Sequence, residues 1–214
     1  MYSFLSKHAL WFPVIDDVGD GIVAIGGDLS LDRLVLAYNS GIFPWYNSTD
    51  PIIWWSPDPR MVLFPEKFRA SKSLRKTMRS GRFEVTRNKA FNEVIDNCAS
   101  VKRTGQKGTW IIPEMRTAYK NLHKAGLAES FEVWQEEKLV GGLYGVNLKD
   151  KKVFCGESMF SLVSDASKVA FATLVGYTLA KNYKFIDCQV YTPHTQSLGA
   201  EEIPRKEFLK LLAT

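Results

Sequence analysis

The feature that most limits what this chain can fold into is a change of hydrophobic period at residue 128. From there, apolar residues recur at every second position in three consecutive runs, 130–134, 139–146 and 152–155. A period of two puts alternate side chains on opposite faces, so each run predicts a strand, and the short polar connections make neighbours antiparallel. A long helix is predicted over 166–181, capped by Ser164 or Asp165 and stopped at Asn182. A further strand follows at 185–190, and a last helix at 204–212. Three strands, a helix and another strand predict a mixed sheet of the α+β class.

Two of these strands break their own pattern. In the first, Gly156 interrupts an extended run, which suggests a bulge or a close backbone approach. Beside it Glu157 lies among Phe154, Met159 and Phe160, where a carboxylate is costly to bury without a partner. In the second, alternation places Asp187 and Gln189 on one face and Ile186, Cys188 and Val190 on the other. An acid and an amide sharing one side of an apolar strand mark a candidate site. The bland readings are a surface glutamate at a strand end and an edge strand with one wet face.

With 214 residues, 45% hydrophobic, the chain can form one large domain or two small ones. No apolar run approaches the ~18 residues that span a bilayer. The N-terminus has no signal-peptide pattern. Cys98, Cys155 and Cys188 are far apart, odd in number and without zinc spacing, so a reducing cytoplasm and no metal are expected. The net charge of +5 is concentrated: nine basic residues between Lys67 and Lys89 face only Glu84, which leaves the rest of the chain at −3. Within that segment Ser71 caps a predicted helix. Lys72, Arg75, Lys76 and Arg79 recur at i, i+3, i+4 and i+7 on one stripe, which favours a polyanion partner over an ordinary solvated face.

Upstream, Gly26-Gly27 reads as a turn, with no phosphate-loop lysine or dinucleotide spacing, leading to a helix capped by Ser30 and carrying Leu31, Leu34, Val35 and Tyr38. Prolines at 44, 51, 57 and 59 forbid a long helix where Trp45, Trp54 and Trp55 cluster. That cluster is an aromatic core or, beside positive charge, a stacking surface for a base. A boundary at 57–59 predicts a small N-terminal α/β domain over 1–59 and a second domain over 60–214. Between the basic segment and residue 128, a strand at 83–86, a helix with Phe91, Val94 and Ile95, a basic loop at 101–108 and a helix opened by Pro113 are expected.

The two irregular strands, together with Gly26-Gly27-Asp28-Leu29-Ser30, Phe43-Pro44-Trp45, Trp54-Trp55-Ser56-Pro57-Asp58-Pro59-Arg60, Gly108-Thr109-Trp110 and Leu139-Val140-Gly141-Gly142-Leu143-Tyr144-Gly145, resemble the leucyl/phenylalanyl-tRNA–protein transferases along nearly the whole chain. The strand–helix–strand order of 128–190 likewise resembles a GNAT acyltransferase-like core. The resemblance implies transfer of leucine or phenylalanine (methionine less well) from aminoacyl-tRNA to the N-terminal arginine or lysine of an acceptor protein. That transfer creates an N-degron of the N-end rule. It implies Glu157, Asp187 and Gln189 around the reacting groups, and Leu143, Phe154, Met159 and Ile186 in the side-chain pocket. It further implies Trp45 and Trp110 at the 3′-terminal adenosine, and the stripe Lys72, Arg75, Lys76 and Arg79 against the tRNA body. The chain is expected to act as a monomer. Its 101–108 loop departs from the family in length, and the tail of some members is expected to be absent.

The donor in such a reaction is already an activated ester, so no cofactor is expected. Asp187 is expected to orient Gln189 and offset the incoming ammonium, Gln189 to position the amine, and Glu157 to read the acceptor's positive side chain. The amine proton can go to Asp187, Glu157, a water or the ribose hydroxyl. Three rival readings stand beside this one. They are a cysteine acyltransferase or hydrolase using Cys155 or Cys188 with His194 and Asp187, a coenzyme A-dependent acetyltransferase whose phosphate turn is missing, and a non-enzymatic RNA-binding protein.

Overall fold

Pairing of the three period-two runs builds the centre of the molecule. The computed structural model describes residues 2–15, 18–101 and 109–214, so the basic-loop residues 102–108 lie outside the described residues. The N-terminal part holds β1 (Ser3–Leu5), β2 (Ile22–Gly26), α1 (Leu31–Asn39), β3 (Phe43–Pro44) and β4 (Ile53–Trp55). Then come β5 (Arg60–Leu63), α2 (Lys72–Arg79), β6 (Glu84–Arg87), α3 (Phe91–Ser100) and α4 (Pro113–Lys124). The remainder is β7 (Ala128–Gln135), β8 (Lys138–Leu148), β9 (Val153–Ser161), α5 (Ala166–Ala180), β10 (Phe185–Gln189), α6 (Pro193–Ser197), β11 (Glu201–Ile203) and α7 (Arg205–Ala213).

The strands form a four-stranded sheet, β1-β2-β4-β3, and a seven-stranded sheet, β11-β5-β10-β9-β8-β7-β6. β7, β8 and β9 are antiparallel in chain order, and after α5 the chain returns as β10, parallel to β9. This is the mixed α+β arrangement and the acyltransferase-like order expected above.

Alternation along the strands feeds two apolar clusters, one on each face of the larger sheet. Phe154, Ile186 and Leu143 pack with Phe171, Leu174 and Val175 of α5. Cys155, Phe185 and Tyr144 pack with α3, α4, α1 and the smaller sheet, including Trp54. A fully buried side chain of this size contributes about 1.5–3 kcal/mol, so these clusters fix which face each strand presents. A one-residue slip would exchange the clusters' members.

Local signals explain the ends of the elements. Ser71 Oγ accepts from Leu74 N at 3.1 Å and Ser30 Oγ from Arg33 N at 3.4 Å, as N-caps do. The Gly26-Gly27 turn has φ of +87° and +78°, a conformation that favours glycine. Asp165 occupies the N-cap position of α5 but makes no capping bond; its carboxylate instead meets Lys168 Nζ at 3.1 Å and Thr77 Oγ1 at 3.3 Å.

The edge-strand reading of 185–190 is corrected. β10 lies between β5 and β9, hydrogen-bonded on both sides, so the acid it carries is inside the protein.

Candidate active site

Two irregularities in adjacent strands open the site. Across β8 and β9, Tyr144 pairs with Ser158 and Gly145 with Gly156, which leaves Glu157 as the extra residue of a bulge. A Cβ on Gly145 would lie 2.2 Å from Cys155 O, so this bulge requires a glycine opposite it. Across β5 and β10, Asp187 pairs with Val62 and Gln189 with Met61, so Cys188 is the extra residue. Gln189 then takes a left-handed φ of 64°. The parallel pairing of β9 with β10 ends at Cys155 and Asp187. Beyond that pair lies a cavity of about 550 Å³, lined by Gly156, Glu157, Ser158 and Met159 of β9 and by Cys188, Gln189 and Val190 at the end of β10.

Its apolar wall is Leu143 and Met159 with Phe171 and Leu174 of α5. Trp45, half exposed, and Trp110 also line it, as do Phe43 and Pro44. The indoles of Trp45 and Trp55 lie 5.8 Å apart, and Trp55 Nε1 donates to Trp45 O at 2.7 Å, which anchors that corner.

A continuous hydrogen-bonded chain runs beside the cavity. Arg60 donates through Nε and Nη2 to the two carboxylate oxygens of Asp187, at 2.8 and 2.6 Å, and through Nη1 to Gly41 O at 3.2 Å. Its guanidinium lies against the rings of Phe43 and Phe208, at 4.8 and 4.4 Å. Asp187 Oδ1 accepts from Gln189 N at 2.9 Å, and Gln189 Nε2 donates to Glu157 Oε1 at 2.9 Å. On its other side Glu157 Oε2 accepts from Tyr119 Oη at 2.8 Å, and Tyr119 Oη is 2.5 Å from Tyr38 Oη.

The electrostatics follow from this placement. Burial drives the Glu157 carboxyl up, with a further push from Asp187, while the Tyr38 hydroxyl behind Tyr119 and the bonds from Tyr119 and Gln189 pull it back; it settles at about 7. Burial and the Glu157 charge push both phenols well above the usual tyrosine range. Asp187 and Arg60 are each 1% exposed and neutralise one another.

The structure brings together Glu157, Gln189, Leu143, Met159, Trp45 and Trp110 on one cavity. Three of the residues expected at the reacting groups or in the side-chain pocket stand elsewhere, and so does the basic stripe. Asp187 is behind the wall, its charge matched by Arg60, so the expectation that it offsets an incoming ammonium is corrected. Phe154 and Ile186 are wholly buried and do not line the cavity; they support it from behind, in the cluster that holds Leu143 and Phe171. Lys72, Arg75, Lys76 and Arg79 edge a separate groove along α2.

Sequence reasoning missed Arg60, Tyr38, Phe171 and Leu174, and named His194 only in the cysteine reading. A tyrosine on a buried helical stripe needs a hydrogen-bond partner, so Tyr38 and Tyr119 did carry a signal. Phe171 and Leu174 carried none, because α5 is apolar almost all round. His194 lines the cavity with its Nε2 buried and, among the described residues, unpartnered.

The cysteine reading fails on electrostatics. Cys188 and His194 share the cavity, but burial and Asp187 hold both the Cys188 and the Cys155 thiols protonated, and burial beside Lys168 lowers His194. A thiol kept neutral is not an activated nucleophile.

Comparison with known proteins narrows the class. The family model described as leucyl/phenylalanyl-tRNA protein transferase matches residues 62–213, and that of its N-terminal domain matches 27–58. Curated relatives named leucyl/phenylalanyl-tRNA–protein transferase include one from Flavobacterium johnsoniae, 56% identical over 98% of each chain. Others come from Christiangramia forsetii, 54% identical over 98% of this chain and 99% of that one, and Lawsonia intracellularis, 50% identical over 99% and 92%. Among solved structures, L-PGS from Bacillus licheniformis overlaps with a TM-score of 0.44 at 10% identity over 79% of this chain and 53% of that one. A GCN5-related N-acetyltransferase from Kribbella flavida overlaps at 0.36 and 9%, over 76% and 56%. Overlaps that slight bear on neither fold nor chemistry. The sequence matches make this chain an aminoacyltransferase. It belongs to the leucyl/phenylalanyl-tRNA–protein transferase family.

Proposed function

We propose that this aminoacyltransferase moves leucine or phenylalanine, and methionine less well, from aminoacyl-tRNA to the N-terminal arginine or lysine of acceptor proteins. The product is an N-degron, made in the cytoplasm by a monomer whose small N-terminal domain spans 1–59 and whose acyltransferase domain spans 60–214. The observation that carries this reading is the cavity itself, in which an apolar wall and a carboxylate of pKa about 7 meet.

The donor's side chain lies against Leu143, Met159, Phe171 and Leu174. Its terminal adenosine stacks on Trp45 and Trp110, and the tRNA body follows the α2 stripe. The acceptor amine enters beside Glu157 and Gln189. One N–H of the Gln189 amide is committed to Glu157, and its Oε1 accepts from the amine. Glutamine is too weak a base to take the proton. Glu157, titrating near the operating pH, takes it as the amine attacks the ester carbonyl. The ribose oxygen leaves with a proton when the tetrahedral intermediate collapses. Holding amine and ester in line can supply ~7–11 kcal/mol of the barrier, more than proton transfer does.

The test is leucine-, phenylalanine- and valine-charged tRNA mixed with peptides beginning in arginine, lysine or alanine, scored by mass gain at the N-terminus. Leucine and phenylalanine should transfer to the basic peptides alone. Valine, branched at Cβ, should transfer poorly. Equal transfer to the alanine peptide would refute the acceptor assignment.

Trp110→Ala is expected to weaken donor binding by a stacking-sized ~1–3 kcal/mol, measured as Kd for charged tRNA; an unchanged Kd would leave Trp110 a packing residue. Binding of tRNA should also fall as salt rises, with a shallower slope after Lys76→Ala. Parallel slopes for the two proteins would leave the α2 stripe without a role.

A further inference from the structure

Glu157 is held by a residue that does not itself reach the cavity. Tyr119 has a single phenolic proton and donates it to Glu157 Oε2. The 2.5 Å contact between the phenols therefore has Tyr38 donating to Tyr119. Both rings are buried, Tyr38 at 2% and Tyr119 at 0% exposure, and neither lines the cavity. Tyr38 comes from α1, in the N-terminal part of the chain, and Tyr119 from α4. Two hydroxyls placed in an apolar cluster in place of two phenylalanines carry a desolvation cost that hydrogen bonding has to offset. What the pair obtains in return is an acceptor at the end of their chain, a carboxylate with no cation bonded to it among the described residues.

We infer that Tyr38 is a positioning residue for the transfer reaction: through Tyr119 it fixes the orientation of Glu157 and stabilises its ionised form. The donation from Tyr38 polarises the Tyr119 hydroxyl and strengthens its bond to the carboxylate, as in other buried chains of donors. The remaining titratable and charged groups near Glu157 act against ionisation or are already matched. Asp187 opposes it, with its charge taken up by Arg60. Cys155 is a protonated thiol on the same strand. Tyr144 of β8 lies edge-on to Tyr119, with ring centroids 5.5 Å apart, and His194 is neutral. Tyr38 of α1 thus contributes to the charge state of the site without itself touching substrate.

This inference rests on Glu157 being the group whose ionisation governs the rate. The experiment is a single-turnover pH–rate profile with leucine-charged tRNA and an arginine-initial peptide. It is run on the parent protein, Glu157→Gln, Tyr38→Phe and Tyr46→Phe. The limb that Glu157→Gln abolishes is Glu157's own; the acceptor amine's titration remains in every variant. Tyr38→Phe keeps the ring and removes the donor, so that limb should move to higher pH by about one unit. The rate below the limb should then fall about tenfold and recover above it. Tyr46 Oη is buried and, among the described residues, unpartnered, so Tyr46→Phe should leave the profile in place. A parent limb near neutrality that Tyr38→Phe fails to move, or a loss equal at every pH, overturns the role of Tyr38 alone. A parent profile with no limb that Glu157→Gln removes overturns the Glu157 reading and this inference with it.

Discussion

Glu157→Gln is expected to lower transfer at pH 7.5 by ~10²–10⁴-fold, the usual contribution of a positioned base. The change is nearly isosteric, and the amide of Gln189 can turn to present its oxygen, so the hydrogen-bonded chain survives while the proton acceptor does not. The same substitution should stabilise the fold. The Glu157 carboxyl sits at about 7 in the folded protein against 4.5 for a free side chain. Between those values the native state holds a proton that the unfolded state has released, so stability falls as pH rises through that window. Urea denaturation at pH 8 should therefore find Glu157→Gln more stable than the parent, with the gap closing below pH 4.5. A variant both fully active and no more stable would show that the carboxyl neither takes the proton nor is costly to ionise.

Asp187→Asn should cost about 3–5 kcal/mol of stability, because it leaves the Arg60 guanidinium charged, buried and unpaired. In a chain of this length each kcal/mol moves Tm by about 2–4 °C. Adding Arg60→Met should restore most of the loss, since the remaining pair of neutral side chains carries no charge to solvate. At a temperature where the single variant stays folded, kcat should fall while KM for the acceptor holds. Asp187 anchors the backbone N–H of Gln189 and does not face the cavity. A raised acceptor KM with kcat retained would instead put Asp187 in contact with the acceptor amine.

These two carboxylates show how far the sequence could be read. Both were conspicuous as acids in apolar strands, and both became candidates for that reason. Their separate duties were not legible. Simple alternation put Asp187 and Gln189 side by side on one face, facing the same ligand. The extra residue at Cys188 breaks that alternation, so Gln189 reaches the cavity while Asp187 stays behind with Arg60. A bulge depends on how a strand meets its neighbour, and β5, the neighbour that defines this one, lies more than 120 residues upstream. Phe154 and Ile186 were misplaced for a related reason. An apolar strand residue next to a site can line it or support it, and only the point where β9 and β10 stop pairing decides which.

What the sequence alone determined is the local order of the chain. Hydrophobic period gave the strands and helices, caps and glycines their ends, and the clustered lysines and arginines a basic face, because each depends on residues within a turn or two of one another. What the tertiary structure decided is where charge can exist. Arg60, Asp187, Gln189, Glu157, Tyr119 and Tyr38 come from five separate elements, and the cost of ionising a carboxylate depends on whatever packs around it. Distant parts of the chain, brought together by the burial of apolar surface, therefore set the chemistry of the site.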